Sequence, residues 1–286
     1  MNSKLKIIIS MIAFGTISIF VKGITLPSSE IAFYRAIIAL LVLSIFMIFN
    51  REYFQIESLK NNWFKLFISG LAIGFNWIFL FEAYNYTSVA VATLCYYFAP
   101  IVVVVASSII FKEKLSLKQI LCFLGSTTGL IFIISYSTGT EKSDVKGILF
   151  GLGAALLYST VILLNKSMKD INGISRTVFQ FAAAVMTLMP YVGITTGFNI
   201  YSLSNLGLIN LFILGAFHTG IVYVLYFSSI SKLKGQEVAI FSYLDPLVAV
   251  LISILWFGET ITSIQLIGGL LILLFTFINE IKNPLE

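Results

Sequence analysis

Residues 96–111 read YYFAPIVVVVASSIIF and residues 242–257 read SYLDPLVAVLISILWF. Each run is apolar over roughly four helical turns. Each carries a proline at its fifth position, and Asp245 is the single charge in the two together. A bilayer offers no water to backbone N–H and C=O groups, so a run of this kind closes its hydrogen bonds within itself, as a helix. Extended to their polar limits, 88–111 and 236–257, both reach the ~20 residues that cross a hydrocarbon core of about 30 Å.

Working outward, residues 5–23, 29–49, 63–83, 117–136, 146–164, 174–195, 206–228 and 264–281 have the same character. The sequence therefore predicts an all-α membrane protein of ten transmembrane helices. Composition agrees. Of 286 residues, 58% are hydrophobic and 11% charged, with a mean hydropathy of +0.98. Soluble domains carry about 25% charge, and 11% is too little to coat a water-facing surface. A soluble enzyme is excluded. The first run follows Lys4 and Lys6 as a secretory leader would, but no cleavage site with a polar mature region follows, and it is read as an uncleaved span. Cys95 and Cys122 both lie inside apolar runs, so neither a disulfide framework nor a metal spacing is expected.

The net charge of +5 and a pI near 9.1 do not point to nucleic acid, because the Lys and Arg residues lie in short clusters between apolar runs. They set orientation instead. With the N-terminus inside, only Lys22, Lys142 and Lys146 fall outside, apart from Arg35 within a span. Both termini are then cytoplasmic, in the cell membrane.

A shift of about 146 residues aligns Phe33 with Phe179, Ala36 with Ala182, Tyr97 with Tyr243, Pro100 with Pro246, Phe111 with Phe257, Glu113 with Glu259 and Gln119 with Gln265. The Pro, Glu and Gln matches are not products of apolar composition. Residues 1–140 and 141–286 thus read as two repeats of five spans each. An odd span number sends the second copy into the membrane from the opposite side, which gives inverted topology about an axis in the membrane plane. Two such halves can exchange conformations around a central site, so that it opens to one side and then to the other.

These residues give the chain its resemblance to the EamA-type branch of the drug/metabolite transporter superfamily. The resemblance rests on residues 32–36 (AFYRA), on 84–87 and 99–100 through 111–114, on their counterparts 243–246 and 257–259, and on Gln265 with Gly268 and Gly269. It implies a cavity lined by spans 1 to 4 and 6 to 9, with spans 5 and 10 as peripheral support. It implies solute export more often than uptake.

Pro100 and Pro246 have no N–H to give the carbonyls four residues earlier, those of Tyr96 and Ser242. Such breaks at mid-depth face either a polar cavity or a compensating neighbour. Asp245, about nine residues into its span, stands roughly 13 Å deep. A carboxylate at that depth costs about 2.5–3.5 kcal/mol on insertion scales, so it meets a partner, meets water, or carries a proton. His218 lies at similar depth in the neighbouring span. Asp245 and His218 are accordingly expected to bind a cationic group or exchange a proton, against the alternative that both merely pack and bond to helix carbonyls.

Aromatic and polar residues near the prolines complete the expected site: Tyr96, Tyr97, Ser242, Tyr243, Asn76, Trp77 and Tyr158, with Phe14 and Tyr223. Rings of this kind hold ammonium groups through cation–π contact. Glu30, Arg35 and Glu82 form an outer group in which an Arg35–Glu82 bridge would be either a gate or a fixed structural pair, with Lys22 snorkelling nearby. Glu113 and Glu259 close their spans as structural markers.

The function expected is secondary transport of a small amphipathic metabolite, such as an amino acid or amine, by alternating access. The solute, protons and lipid are the partners expected; no cofactor, metal or nucleic acid is. The competing readings are a non-transporting assembly or signalling component, and an uptake facilitator for a small organic cation. A membrane-embedded enzyme would need clustered acids or histidines, and the chain has one His and scattered acids. The glycine-rich stretch 147–153 lacks the Gly-Lys-Ser of a phosphate loop and reads as close helix packing.

Overall fold

The fold is taken from a computed structural model, which describes residues 2–53, 56–112, 115–137, 142–168, 170–230, 232–233, 238 and 241–280. Glu113, one of the sequence markers, lies outside them. The described residues are helical and contain no strand.

Seven helices are long and apolar enough to cross a membrane: α1 (Ser3–Lys22), α2 (Ser28–Phe49), α3 (Trp63–Tyr86), α4 (Val89–Ile110), α6 (Lys142–Lys166, apolar over Val145–Lys166), α7 (Gly173–Thr195) and α8 (Asn205–Ser229). Between and after them come three with shorter apolar stretches: α5 (Leu117–Ser137), α9 (Leu244–Leu255) and α10 (Ser263–Glu280).

The sequence marks many of these ends with capping residues. Side chains of Ser88, Asn172 and Ser204 accept from the backbone N–H groups of Val91, Ile174 and Gly207 at 3.2, 2.9 and 3.1 Å. The matched glutamines explain themselves here. Gln119 accepts from the backbone of Ser116 at 2.8 Å and Gln265 from that of Thr262 at 3.2 Å, and each Ser or Thr hydroxyl accepts in return from the Gln backbone at 3.3 Å. These are two reciprocal capping boxes, one at the start of α5 and one at the start of α10.

Three spans are irregular. Helix α1 pauses at Thr16, whose hydroxyl bonds back to the Ala13 carbonyl at 2.7 Å. Helix α4 pauses at Tyr97 and Phe98. Within α8, residues Ile213–Ile221 wind as a π-helix.

Packing sets α3 against α6 and α7, α8 against α1 and α2, α2 against α7, α4 against α9, and α5 against α10. The α2 stripe Ala32, Ala36, Ala39 and Leu43 is fully buried in a core shared with Phe81, Phe181, Leu188 and Leu214. Outward faces are apolar as well: Phe49, Ile194 and Leu255 are 82%, 86% and 78% exposed, which suits hydrocarbon and not water.

Contacts fix several directions. Ser29 meets Thr196 and the Tyr53 carbonyl meets Ser175, so α2 and α7 run antiparallel. Glu259 meets Val89, Ser253 meets Ala90 and Asp245 meets Tyr97, so α4 and α9 run antiparallel. In α5 and α10, Gly125 faces Phe275 and Gly129 faces Gly268, again antiparallel. A Cβ on Gly129 would stand 2.4 Å from the Gly268 carbonyl oxygen, so these two backbones touch only because both residues are glycine.

Candidate functional site

The pause in α4 and the start of α9 meet at the centre of the molecule. Pro100 and Pro246 each sit in the first turn of the helical piece that follows, where no intrahelical N–H is needed. The Tyr97 hydroxyl reaches across and donates to Asp245 Oδ2 at 2.6 Å, with a long contact of 3.5 Å to the Ser242 carbonyl. One of the two carbonyls expected to be freed by proline therefore has a neighbour from the other broken helix.

A cavity of about 1070 Å³ surrounds this junction. Its described lining comes from α1, α2, α3, α4, α6, α7, α8 and the α9 segment, and none from α5 or α10. The walls are aromatic. Phe14 meets Tyr223 edge-on at 5.4 Å, Tyr96 meets Tyr158 at 5.3 Å, and Trp77 meets Phe181 at 5.2 Å between ring centres. Polar bonds tie wall helices together. Asn76 donates to the Ala154 carbonyl at 2.7 Å, Ser159 to the Ala99 carbonyl at 3.0 Å, and Gln180 to Asn165 Oδ1 at 2.8 Å.

Of the residues expected at the site, Asp245, Tyr96, Tyr97, Ser242, Asn76, Trp77, Tyr158, Pro100 and Arg35 line the cavity. Tyr243 instead packs edge-on against Phe277 of α10 at 5.3 Å, and Pro246 is buried behind the lining.

His218 is not a partner of Asp245. Its Nε2 lies 2.9 Å from the Thr16 hydroxyl and its Nδ1 3.3 Å from the Ile213 carbonyl, and its ring packs on Phe20 and Phe217. The wider π turn aims it at the pause in α1.

The expected Arg35–Glu82 bridge is likewise absent, and the reason is depth. Glu82 accepts from Ser28 at 2.7 Å, at the start of α2, whereas Arg35 stands seven positions later, about 10 Å deeper along the helix. Glu30 has its own partners, accepting from the Asn199 backbone and side chain at 2.6 and 2.8 Å.

Arg35 is 3% exposed, donates from Nε to the Thr219 hydroxyl at 2.6 Å, and lies over the Trp77 ring at 4.4 Å. Thr219 donates in turn to the Leu214 carbonyl, five residues back, at 2.8 Å, so the π-helix presents the hydroxyl that Arg35 uses. Gly215 and Gly220 flank this stretch and admit Ile38 and Val42 of α2 at contact distance.

Beyond the cavity, where α4 begins, Glu259 accepts from the Val89 backbone at 2.8 Å and from Ser253 at 2.6 Å, and forms an ion pair with Lys22. Lys22 therefore does more than snorkel: its ammonium also lies 4.5 Å from the centre of the Phe257 ring. Thr219, Ser253, Gln180 and Asn165 were not singled out from the sequence. Thr219 directly follows His218 and precedes a glycine, the only local sign that this turn differs from its neighbours.

Comparison with known proteins gives one consistent description. The model of the EamA-like transporter family matches residues 3–135 and again residues 145–280. The chain is 32% identical over 273 residues to the uncharacterized transporter YxxF of Bacillus subtilis, covering 94% of this chain and 86% of that one. It is 27% identical over 274 residues to an uncharacterized transporter of Archaeoglobus fulgidus, covering 93% and 92%. Mouse solute carrier family 35 member G1 is 27% identical over 177 residues, 58% of this chain and 48% of the carrier. A solved crystal structure shares the fold over 96% of both chains, with a TM-score of 0.64 at 14% identity.

Proposed function

The chain belongs to the EamA-like transporter family, and from that premise we propose that it is a secondary transporter of a small amphipathic metabolite, an amino acid, an amine or a related solute. It works by alternating access across the cytoplasmic membrane, in the direction of export. The observation that carries this reading is the cavity of about 1070 Å³ at the crossing of two broken helices, with Asp245 in its wall. Ligand pockets run about 300–1,000 Å³, so a small metabolite fits with water beside it.

Two inverted five-helix repeats, 1–140 and 141–286, are the architecture we assign. The family model matches once in each half. Exchanging every helix with the one five places away maps the principal packed pairs onto themselves: α3–α6 becomes α8–α1, α3–α7 becomes α8–α2, and α2–α7, α4–α9 and α5–α10 become themselves. The three pairs of counterparts that touch run antiparallel. That is the relation expected of halves inserted from opposite sides.

In the orientation set by the cations, the cavity reaches toward the cytoplasmic ends of α6 and α7 through Asn165 and Arg176. The Lys22–Glu259 pair and the Glu30–Asn199 link hold the opposite end together. Solute loads from the cytoplasm in this arrangement. Asp245 takes the cationic group of the solute or a proton, and Tyr97 steadies the carboxylate while it does so.

Catalysis finds no support in the names of the relatives, which are transporters. Flux into proteoliposomes of radiolabelled amino acids and primary amines tests the proposal. Accumulation lost in Asp245→Asn supports it. Absence of flux for every probe with correctly folded protein, or flux unchanged in Asp245→Asn, overturns it.

A further inference from the structure

We propose that Arg35 is the anion-binding residue of the cavity, and that the transported solute carries a carboxylate. The inference rests on the transport reading and narrows it: Asp245 alone would select amines, whereas Arg35 requires an acid group on the same molecule or in its place.

Three observations converge. First, Arg35 is a buried cation without a carboxylate partner: its one protein hydrogen bond among the described residues is Nε to the neutral Thr219 hydroxyl. Burying a guanidinium in this way is costly, and the usual compensation is a paired acid. The acids nearest in sequence logic are committed elsewhere, Glu82 to Ser28 and Asn85, and Glu30 to Asn199.

Second, the guanidinium is held flat. It lies over Trp77 at 4.4 Å and toward Phe81 at 5.5 Å, and the Nε bond fixes its rotation. Both terminal nitrogens are left as a fork beside the cavity that Arg35 lines. A planar fork with two parallel N–H donors matches a carboxylate bidentately, which a lysine in the same place would not.

Third, the charge in the cavity wall suits a monoanion. The described lining residues that carry formal charge are Arg35, Arg176 and Asp245, two cations and one anion. Arg176 stands near the start of α7 with a long contact to the Met168 carbonyl at 3.5 Å. A surplus of one positive charge is neutralised by a monocarboxylate, whereas a zwitterion reaching both Arg35 and Asp245 would leave it unchanged. A phosphate dianion would exceed it.

The test uses the full chain in detergent with Trp63 and Trp256, both strongly exposed, replaced by Phe, so that Trp77 reports alone. Benzoate is the probe, and benzylamine its cationic counterpart. Benzoate is expected to change Trp77 fluorescence saturably, with affinity falling by about tenfold or more in Arg35→Gln and by less in Arg35→Lys, which keeps the charge but loses the fork. The benzylamine response is expected to survive both changes. No saturable benzoate response in the parent protein, or equal affinity in Arg35→Gln, overturns the proposal; if that variant does not fold, equal affinity in Arg35→Lys does so. Carboxylate binding through Arg35 without any flux would overturn transport and leave Arg35 standing as the anion-binding residue of the cavity. Flux with no Arg35-dependent recognition of the acid group would do the reverse.

Discussion

The Tyr97 hydroxyl stands 2.6 Å from the Asp245 carboxylate and so joins the pause in α4 to the first turn of α9. Tyr97 and Tyr243 occupy matching positions in the two halves, but only Tyr97 faces the cavity. The site is therefore asymmetric even though its frame is built from paired elements. Hydrogen bonds to a charged group contribute about 1.5–3 kcal/mol, so Tyr97→Phe is expected to lower flux by roughly 10- to 100-fold with the protein still folded. Initial rates in proteoliposomes, set against thermal stability in detergent, measure both.

Glu259 caps α4 and pairs with Lys22 at once. Replacing it by Gln removes the ion pair and weakens the cap, a loss of about 1 kcal/mol or more at the closed end. Glu259→Gln is expected to favour opening there, read as several-fold faster labelling of a cysteine at Tyr84 by an external impermeant maleimide. A rate equal to that in the unsubstituted background would assign the pair no gating role.

His218 bonds Thr16 and packs on two rings, with no hydrogen bond to Asp245. His218→Ala is expected to destabilise the protein by about 2–4 kcal/mol through lost packing and an orphaned Thr16 contact. The pH profile of flux in the folded fraction is expected to remain as in the parent. A displaced profile would return His218 to the proton path.

Gly129 and Gly268 let α5 and α10 touch by backbone, outside the cavity. Gly129→Leu is expected to separate them and lower the folded yield sharply, with solute affinity unchanged in whatever folds. Yield by fluorescence-detected size exclusion and affinity by ligand-induced stabilisation separate the two effects.

Much of this was legible in the sequence because it depends on local rules. Apolar runs marked the helices, although among the described residues seven of the ten expected spans are long and apolar enough to cross a membrane, and the matched Gln119 and Gln265 turned out to be helix-capping residues with the same bonding pattern. Tyr96 and Tyr97 beside Pro100 line the cavity, whereas Tyr243 beside Pro246 does not. What the sequence did not disclose depends on helix register. Arg35 and Glu82 lie on neighbouring helices, yet a difference of about 10 Å in depth decides that they do not meet. The π-helix at Ile213–Ile221 turns His218 toward Thr16 and Thr219 toward Arg35, and no hydrophobic periodicity reports such a turn. The Lys22–Glu259 pair joins residues 237 positions apart, beyond any local signal.

Alternation of access is the central claim, and one cysteine tests it most directly. Tyr158 lines the cavity near the middle of α6, and both native cysteines are buried. With Tyr158→Cys in inside-out and right-side-out vesicles, a membrane-impermeant maleimide is expected to label from the cytoplasmic face in the parent background. In the Glu259→Gln background it is expected to label from the outer face, with cytoplasmic labelling reduced in step. Equal labelling from both faces in both backgrounds would mean an open channel, and labelling from neither would mean a closed core; either result contradicts a carrier.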